Sequence, residues 1–209
     1  MIAYEEFHVE TAPFREFVQS IGRILESEPS PRRAIERLRD PFSQLLWNDE
    51  WLPDSFARPA ERGGMGGGIG SYLLYRNAER SLSLSSLVVP AGARTPVHDH
   101  LAWGLVGLYR GEQFEDVFAR SDDGADDDRA DLDLVERRHL RRGEFYDLIP
   151  PDGDIHSVAA ANQQPSVSIH LLRSDVGCAH RHAYEPEAHR VRAFRSGYVN
   201  APCPEPTPA

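Results

Sequence analysis

The sequence predicts a mainly β protein, an antiparallel barrel or sandwich with a helical cap at its N-terminal end. From Ser71 to about His170 the apolar segments are short and divided by Gly, Pro, Asn or Asp. One of them, "SLSLSSLVV", opens with strict alternation of polar and apolar residues, while residues 13–52 follow helical spacing instead. Strands joined by turns produce the first two patterns, whereas βαβ units would place a helix between successive strands.

The elements follow in order. In "PFREFVQSIGRILES", Phe14, Phe17, Val18, Ile21, Ile24 and Leu25 recur at three-and-four spacing, which puts them on one helical face. A second helix is signalled by "SPRRAIERL", with Ser30 as N-cap and Pro31 at the first helical position. "ARPAERGGMGGGIG" reads as a glycine-rich connector, because glycine loses much entropy on ordering and the run lacks the Lys-Ser/Thr ending of a phosphate loop. Strands are then expected in "SYLLYRN", "SLSLSSLVVPAG", "WGLVGLYRG", "QFEDVFAR", "FYDLIPPDG", "HSVAAAN" and "SVSIHLL". The acidic "RSDDGADDDRADLD" reads as a solvated, disordered hairpin loop, since packed like charges repel. Its Asp122, Asp123, Asp126, Asp127 and Asp128 lack the ordered spacing of a calcium loop. A length of 209 residues suits one domain overall, with residues 1–60 as the cap, 61–200 as the barrel and 201–209 as a flexible tail.

Composition narrows the function classes. With 33 acidic against 23 basic residues the net charge is −10, which opposes attraction to phosphate backbones and anionic lipid. Nucleic acid and membrane are therefore not expected partners. No apolar run approaches the roughly 18 residues of a membrane span, and "MIAYEEFHVE" lacks a signal-peptide pattern, so a cytoplasmic location is expected. The two cysteines, Cys178 and Cys203, are too few for a disulfide framework and read as free thiols.

The chemistry concentrates in "RTPVHDHLAWGLVGLYRG". Side chains at i and i+2 of a strand share a face, so His98 and His100 both project into a barrel if that strand is central. Imidazoles suit Fe, Zn, Cu and Ni, and two of them would need a third ligand from elsewhere. "PPDGDIHSV" supplies it: a Pro-Asp-Gly turn leads into His156 at the start of a β-like run. A lone barrel histidine is more often a hydrogen-bonded structural residue, and His139, His180, His182 and His189 are read that way. His98, His100 and His156 differ in lying in low-polarity strands, where an unsatisfied imidazole costs about 1–3 kcal/mol.

These residues resemble the two motifs of the cupin superfamily. Gly92, His98, His100 and Gly111 match the first, and Pro151, Gly153 and His156 match the second. The resemblance implies a double-stranded β-helix, or jelly-roll barrel, over roughly residues 70–200. Many cupins add a glutamate ligand where this chain has Gly104. Three neutral histidines resemble the thiol dioxygenases, namely cysteine dioxygenase and, more closely, the bacterial 3-mercaptopropionate dioxygenases. "TPVHDH", Trp103-Gly104, "DIH", "SIH" and the tail "FRSGYVN" are similar to that bacterial subgroup.

That resemblance implies iron(II) at His98, His100 and His156, and a small thiol carboxylate and O2 as partners. It also implies a monomer or weak homodimer. In the family's Ser-x-His-x-Tyr series this chain retains Ser168 and His170, as helpers to catalysis, and has Leu172 in place of the tyrosine. Leucine cannot hydrogen-bond a ligand as a phenol does. Where animal cysteine dioxygenase anchors the substrate carboxylate with arginine, the match is Ser71; Arg181, spaced from His170 as in the bacterial enzymes, is the alternative clamp, against its reading as a solvated surface charge. Trp103 reads as core packing or as a wall of the substrate pocket. Two other functions stay open: a diketone-type oxygenase on the same three histidines, and a noncatalytic metal-binding cupin.

Overall fold

The computed structural model describes residues 4–61 and 64–203. Both expected helices form, α1 (Ala12–Ser27) and α2 (Pro31–Trp47). Their apolar stripes bury Phe14, Phe17, Val18 and Ile21 on α1 and Ile35, Leu38, Phe42 and Leu46 on α2. Pro31 opens α2 after Ser30, which has the extended backbone of an N-cap although its hydroxyl makes no capping bond.

Twelve strands follow the chain: β1 (Glu6–Phe7), β2 (Gly70–Arg76), β3 (Ser83–Val89), β4 (Val97–His98), β5 (Gly104–Arg110), β6 (Glu112–Arg120), β7 (Leu132–Arg141), β8 (Phe145–Leu148), β9 (Ile155–Ala160), β10 (Ser166–Leu172), β11 (Arg181–Glu185) and β12 (Arg190–Phe194). They make two six-stranded sheets, the first ordered β1-β2-β3-β10-β5-β8 and the second β12-β11-β4-β9-β6-β7. Every pairing is antiparallel. The chain passes repeatedly from one sheet to the other, so the two wind together as a double-stranded β-helix.

The helices cover the outer face of the first sheet. Phe17, Phe42, Leu46 and Trp51 pack there against Leu84, Leu105, Tyr109, Ile169 and Leu171 in the largest apolar cluster. Each such side chain, fully buried, contributes about 1.5–3 kcal/mol. Coverage on both sides explains β3, where all seven residues are buried despite the alternating sequence. Leu84 and Val88 meet the helices, while Ser85 and Leu87 line a cavity between the sheets. The second sheet differs, since its β6–β7 edge is held outwardly by ion pairs such as Arg94–Asp116 at 3.0 Å and Arg138–Glu136 at 2.6 Å.

Several expectations change. The acidic segment is an ordered β6–β7 connection: Asp122 accepts hydrogen bonds from the Gly124 and Asp131 amides and from Arg120. Cation and amide donors absorb charge that the sequence pattern suggested would only repel. Cys178 and Cys203 are joined in a disulfide rather than free, because the loop after β10 and the chain beyond β12 converge. β1, β7, β11 and β12 are not among the expected strands; β7 is largely exposed and charged, which hides its pairing with β6. Of the expected flexible tail, Ala201 is buried and Cys203 is bonded, and residues 204–209 lie outside the described residues. So do residues 62 and 63 of the expected connector. Among the described residues no helix is long and apolar enough to cross a membrane.

Candidate metal centre

His98 on β4 and His156 on β9 are direct cross-strand partners, and His100 follows two residues after His98. Paired residues of an antiparallel sheet share a face, so the three rings converge. Their centroids lie 5.1, 4.9 and 4.7 Å apart, and one ligand nitrogen from each falls within 4.8 Å of the others. All three are buried.

Hydrogen bonds orient each ring by its Nδ1. His98 Nδ1 lies 2.9 Å from the Pro96 carbonyl, His100 Nδ1 3.4 Å from the Asp154 carbonyl, and His156 Nδ1 2.5 Å from Glu115 Oε1. These partners assign Nδ1 as the protonated nitrogen and leave Nε2 lone pairs for the centre. His156 Nε2 is buried with no hydrogen-bond partner. A buried acceptor left in that state costs free energy that a shared cation would offset, so the three residues fit a metal ion. Burial, then the charges of its neighbours His156 and His100, holds His98 well below the usual imidazole range. His100 is lowered by burial and next by His156, so both favour the neutral ligand form.

The surrounding loop is pinned. Asp154 accepts from the His100 and Leu101 amides at 3.0 and 3.1 Å. Asp99 accepts from the His182 amide at 2.8 Å and from the Tyr184 hydroxyl at 3.0 Å, and sits 2.6 Å from His182 Nδ1. The turn ahead of His156 runs through Gly153 at φ +66°, a left-handed conformation that favours glycine. Gly104 stands where β5 meets β10 so closely that a Cβ would strike the Leu171 carbonyl and lie 3.0 Å from Leu172 Cα. Backbone packing thus excludes a glutamate ligand at this position.

A cavity of about 30 Å³ adjoins the histidines and is lined by His98, His100, His170, Arg181, Ser71 and Ser85, among others. His170 comes from β10 of the opposite sheet, its ring 6.1 Å from that of His100 and its Nε2 3.0 Å from Ser168 Oγ. Burial, then the neighbouring His156, lowers its pKa to about 3, which keeps it neutral. Arg181 is buried rather than a solvated surface charge. It donates to the Asp99 carbonyl and, at 3.0 Å, to Ser196 Oγ, and its Nε has no hydrogen-bond partner. Burial lowers its pKa to about 10, so it remains a cation at neutral pH.

The structure therefore brings His98, His100, His156, His170, Ser168 and Arg181 to one region. Leu172 lies beside it, fully buried with Ala102, Val106 and Val176, of which Val176 also lines the cavity. Trp103 does not line the cavity; it packs against the helix-covered cluster, with Arg173 over its ring at 5.8 Å. His139, His182 and His189 pair instead with Glu112, Asp99 and Asp131 at 2.8, 2.6 and 2.6 Å. Sequence reasoning missed Glu115 behind His156, and Met65 and Ser196 at the cavity.

A double-stranded β-helix with three buried, convergent histidines is a scaffold fit to hold one metal ion between its sheets. No family model matches the chain. Among solved structures it is similar to a conserved protein with a double-stranded β-helix domain from Klebsiella pneumoniae, 13% identical, covering 62% of this chain and 95% of that one at a TM-score of 0.42. A cupin domain of a transcriptional regulator from Enterobacter cloacae is 16% identical, covering 50% of this chain and 95% of that one at a TM-score of 0.36. An oxalate oxidase in complex with glycolate is 18% identical over 51% of this chain at a TM-score of 0.38, and the match spans 50% of that chain.

Proposed function

We propose that this protein is a mononuclear non-haem iron(II) dioxygenase that adds both atoms of O2 to the sulfur of a small thiol carboxylate, giving the sulfinate. The observation that carries the reading is a buried guanidinium beside a buried three-histidine group, facing one small cavity. Bound iron(II), with three neutral ligands, would keep its full positive charge and open positions for an anionic thiolate and O2.

The chain's own residues would do the rest. Arg181 offers its free Nε to a carboxylate, and at about 10 its pKa keeps that charge at working pH. Nη1 and Nη2 donate to Asp99 and Ser196, which holds the guanidinium in place before a ligand arrives. Ser168 fixes the ring of His170, whose other nitrogen is then available to the ligand. The small volume favours a short substrate.

Leu172 favours a second reading. It sits in an apolar cluster where the family that the motifs resemble has a phenol, and the loss of that hydrogen-bonding group favours a non-thiol, diketone-type oxygenase on the same three histidines. An oxygen electrode separates the two. Iron-loaded protein should consume O2 with 3-mercaptopropionate and release a sulfinate; uptake with a β-diketone alone would replace the thiol reading, and uptake with neither would leave a metal-binding protein.

A further inference from the structure

We infer that Glu115 strengthens the metal centre through His156, polarising that imidazole from behind while the three ligands themselves stay neutral. The inference rests on the three-histidine metal reading and concerns what makes this particular centre strong.

Glu115 Oε1 lies 2.5 Å from His156 Nδ1, and both side chains are wholly buried. The imidazole N–H donates to the carboxylate, so electron density moves onto the ring and the opposite nitrogen becomes a better ligand. The other two ligands are backed differently. His98 Nδ1 meets only the Pro96 carbonyl, and the Asp154 carboxylate, 3.4 Å from His100 Nδ1, is farther off and shared with the His100 and Leu101 amides. His156 therefore has the strongest anionic backing of the three.

The charge of the carboxylate is offset only in part by its neighbours. Arg138, its direct cross-strand partner, approaches Glu115 Oε2 only to 3.5 Å and makes no hydrogen bond from that Nη1. Arg138 spends its other arm on Glu136 at 2.6 Å and stacks over Tyr146 at 4.7 Å. Tyr146 reaches from β8 of the first sheet and brings its hydroxyl 3.4 Å from His156 Nδ1. Oε2 is left without a hydrogen-bond partner. Burying a carboxylate is costly; Arg138 at 3.5 Å offsets part of that cost, and a cation held by His156 would offset more.

Cobalt(II) titration of the metal-free protein, followed by its visible absorption and by competition with a chelator, tests the idea without turnover. Glu115→Gln keeps the shape and an acceptor oxygen but loses the charge, and should weaken cobalt affinity about 10- to 100-fold. Arg138→Met leaves Glu115 its full charge and should tighten binding, by about two- to tenfold. A purely structural role for the cluster would not give opposite signs. Glu115→Gln binding within twofold of wild type, or weaker binding by Arg138→Met, overturns the inference; if Glu115→Gln fails to fold, Arg138→Met decides. Wild type that binds no cobalt, or His156→Ala that binds as wild type does, instead overturns the metal reading beneath it.

Discussion

The two sheets contribute differently to the site. The second sheet carries the three convergent histidines on and beside its strands, His98 on β4, His100 just after it and His156 on β9, with Glu115 behind them on β6. The first sheet, braced outside by two helices, offers His170, held by Ser168, and Ser85 across the cavity, and among the described residues adds no member to the three-histidine group. A helix-backed wall thus faces the histidine-bearing wall, and the proposed metal site is separate from the wall that shapes the space beside it. Changes in one sheet should therefore leave a different trace from changes in the other.

The largest effect belongs to the second sheet. Replacing His98, His100 or His156 by Ala should remove most bound metal, and double variants should lose little more than single ones, because the three act on one ion. Elemental analysis of each purified variant checks this; full metal content in any one removes that residue from the centre. In the helices that brace the first sheet the corresponding damage is to stability. Phe42, fully buried and 5.6 Å from Phe145 in an edge-on pair, should cost about 3–5 kcal/mol when cut to Ala. Denaturant melts measure it, and the surviving folded protein should still bind metal. A smaller and more selective effect is expected at His170→Ala, which should keep its metal yet lose turnover by about 10- to 100-fold. Loss of metal there would merge the two roles that the sheets keep apart.

The same contrast explains what was legible beforehand. His98 and His100 could be read because period-two spacing puts both on one face, and His156 because a Pro-Asp-Gly turn announces the strand that bears it. Glu115 could not, since β6 reverses the usual polarity: Gln113 and Glu115 are buried while Phe114 is 38% exposed. Alternation alone points Phe114 inward. Arg181 was ambiguous because sequence spacing does not reveal that β11 carries it under the loops of the site, where Asp99 and Ser196 hold it. The Cys178–Cys203 bond depends on two segments meeting above the first sheet, a long-range fact with no local signal across a separation of 25 residues. The helices were plain because their apolar stripes repeat over several turns.

The most direct test of this division is anomalous X-ray scattering from crystals of the iron-loaded protein. One iron peak should lie about 2.0–2.2 Å from Nε2 of His98, His100 and His156, with His170 beyond bonding distance. A peak bonded to His170, or located instead at the exposed His139, His182 or His189, would contradict it.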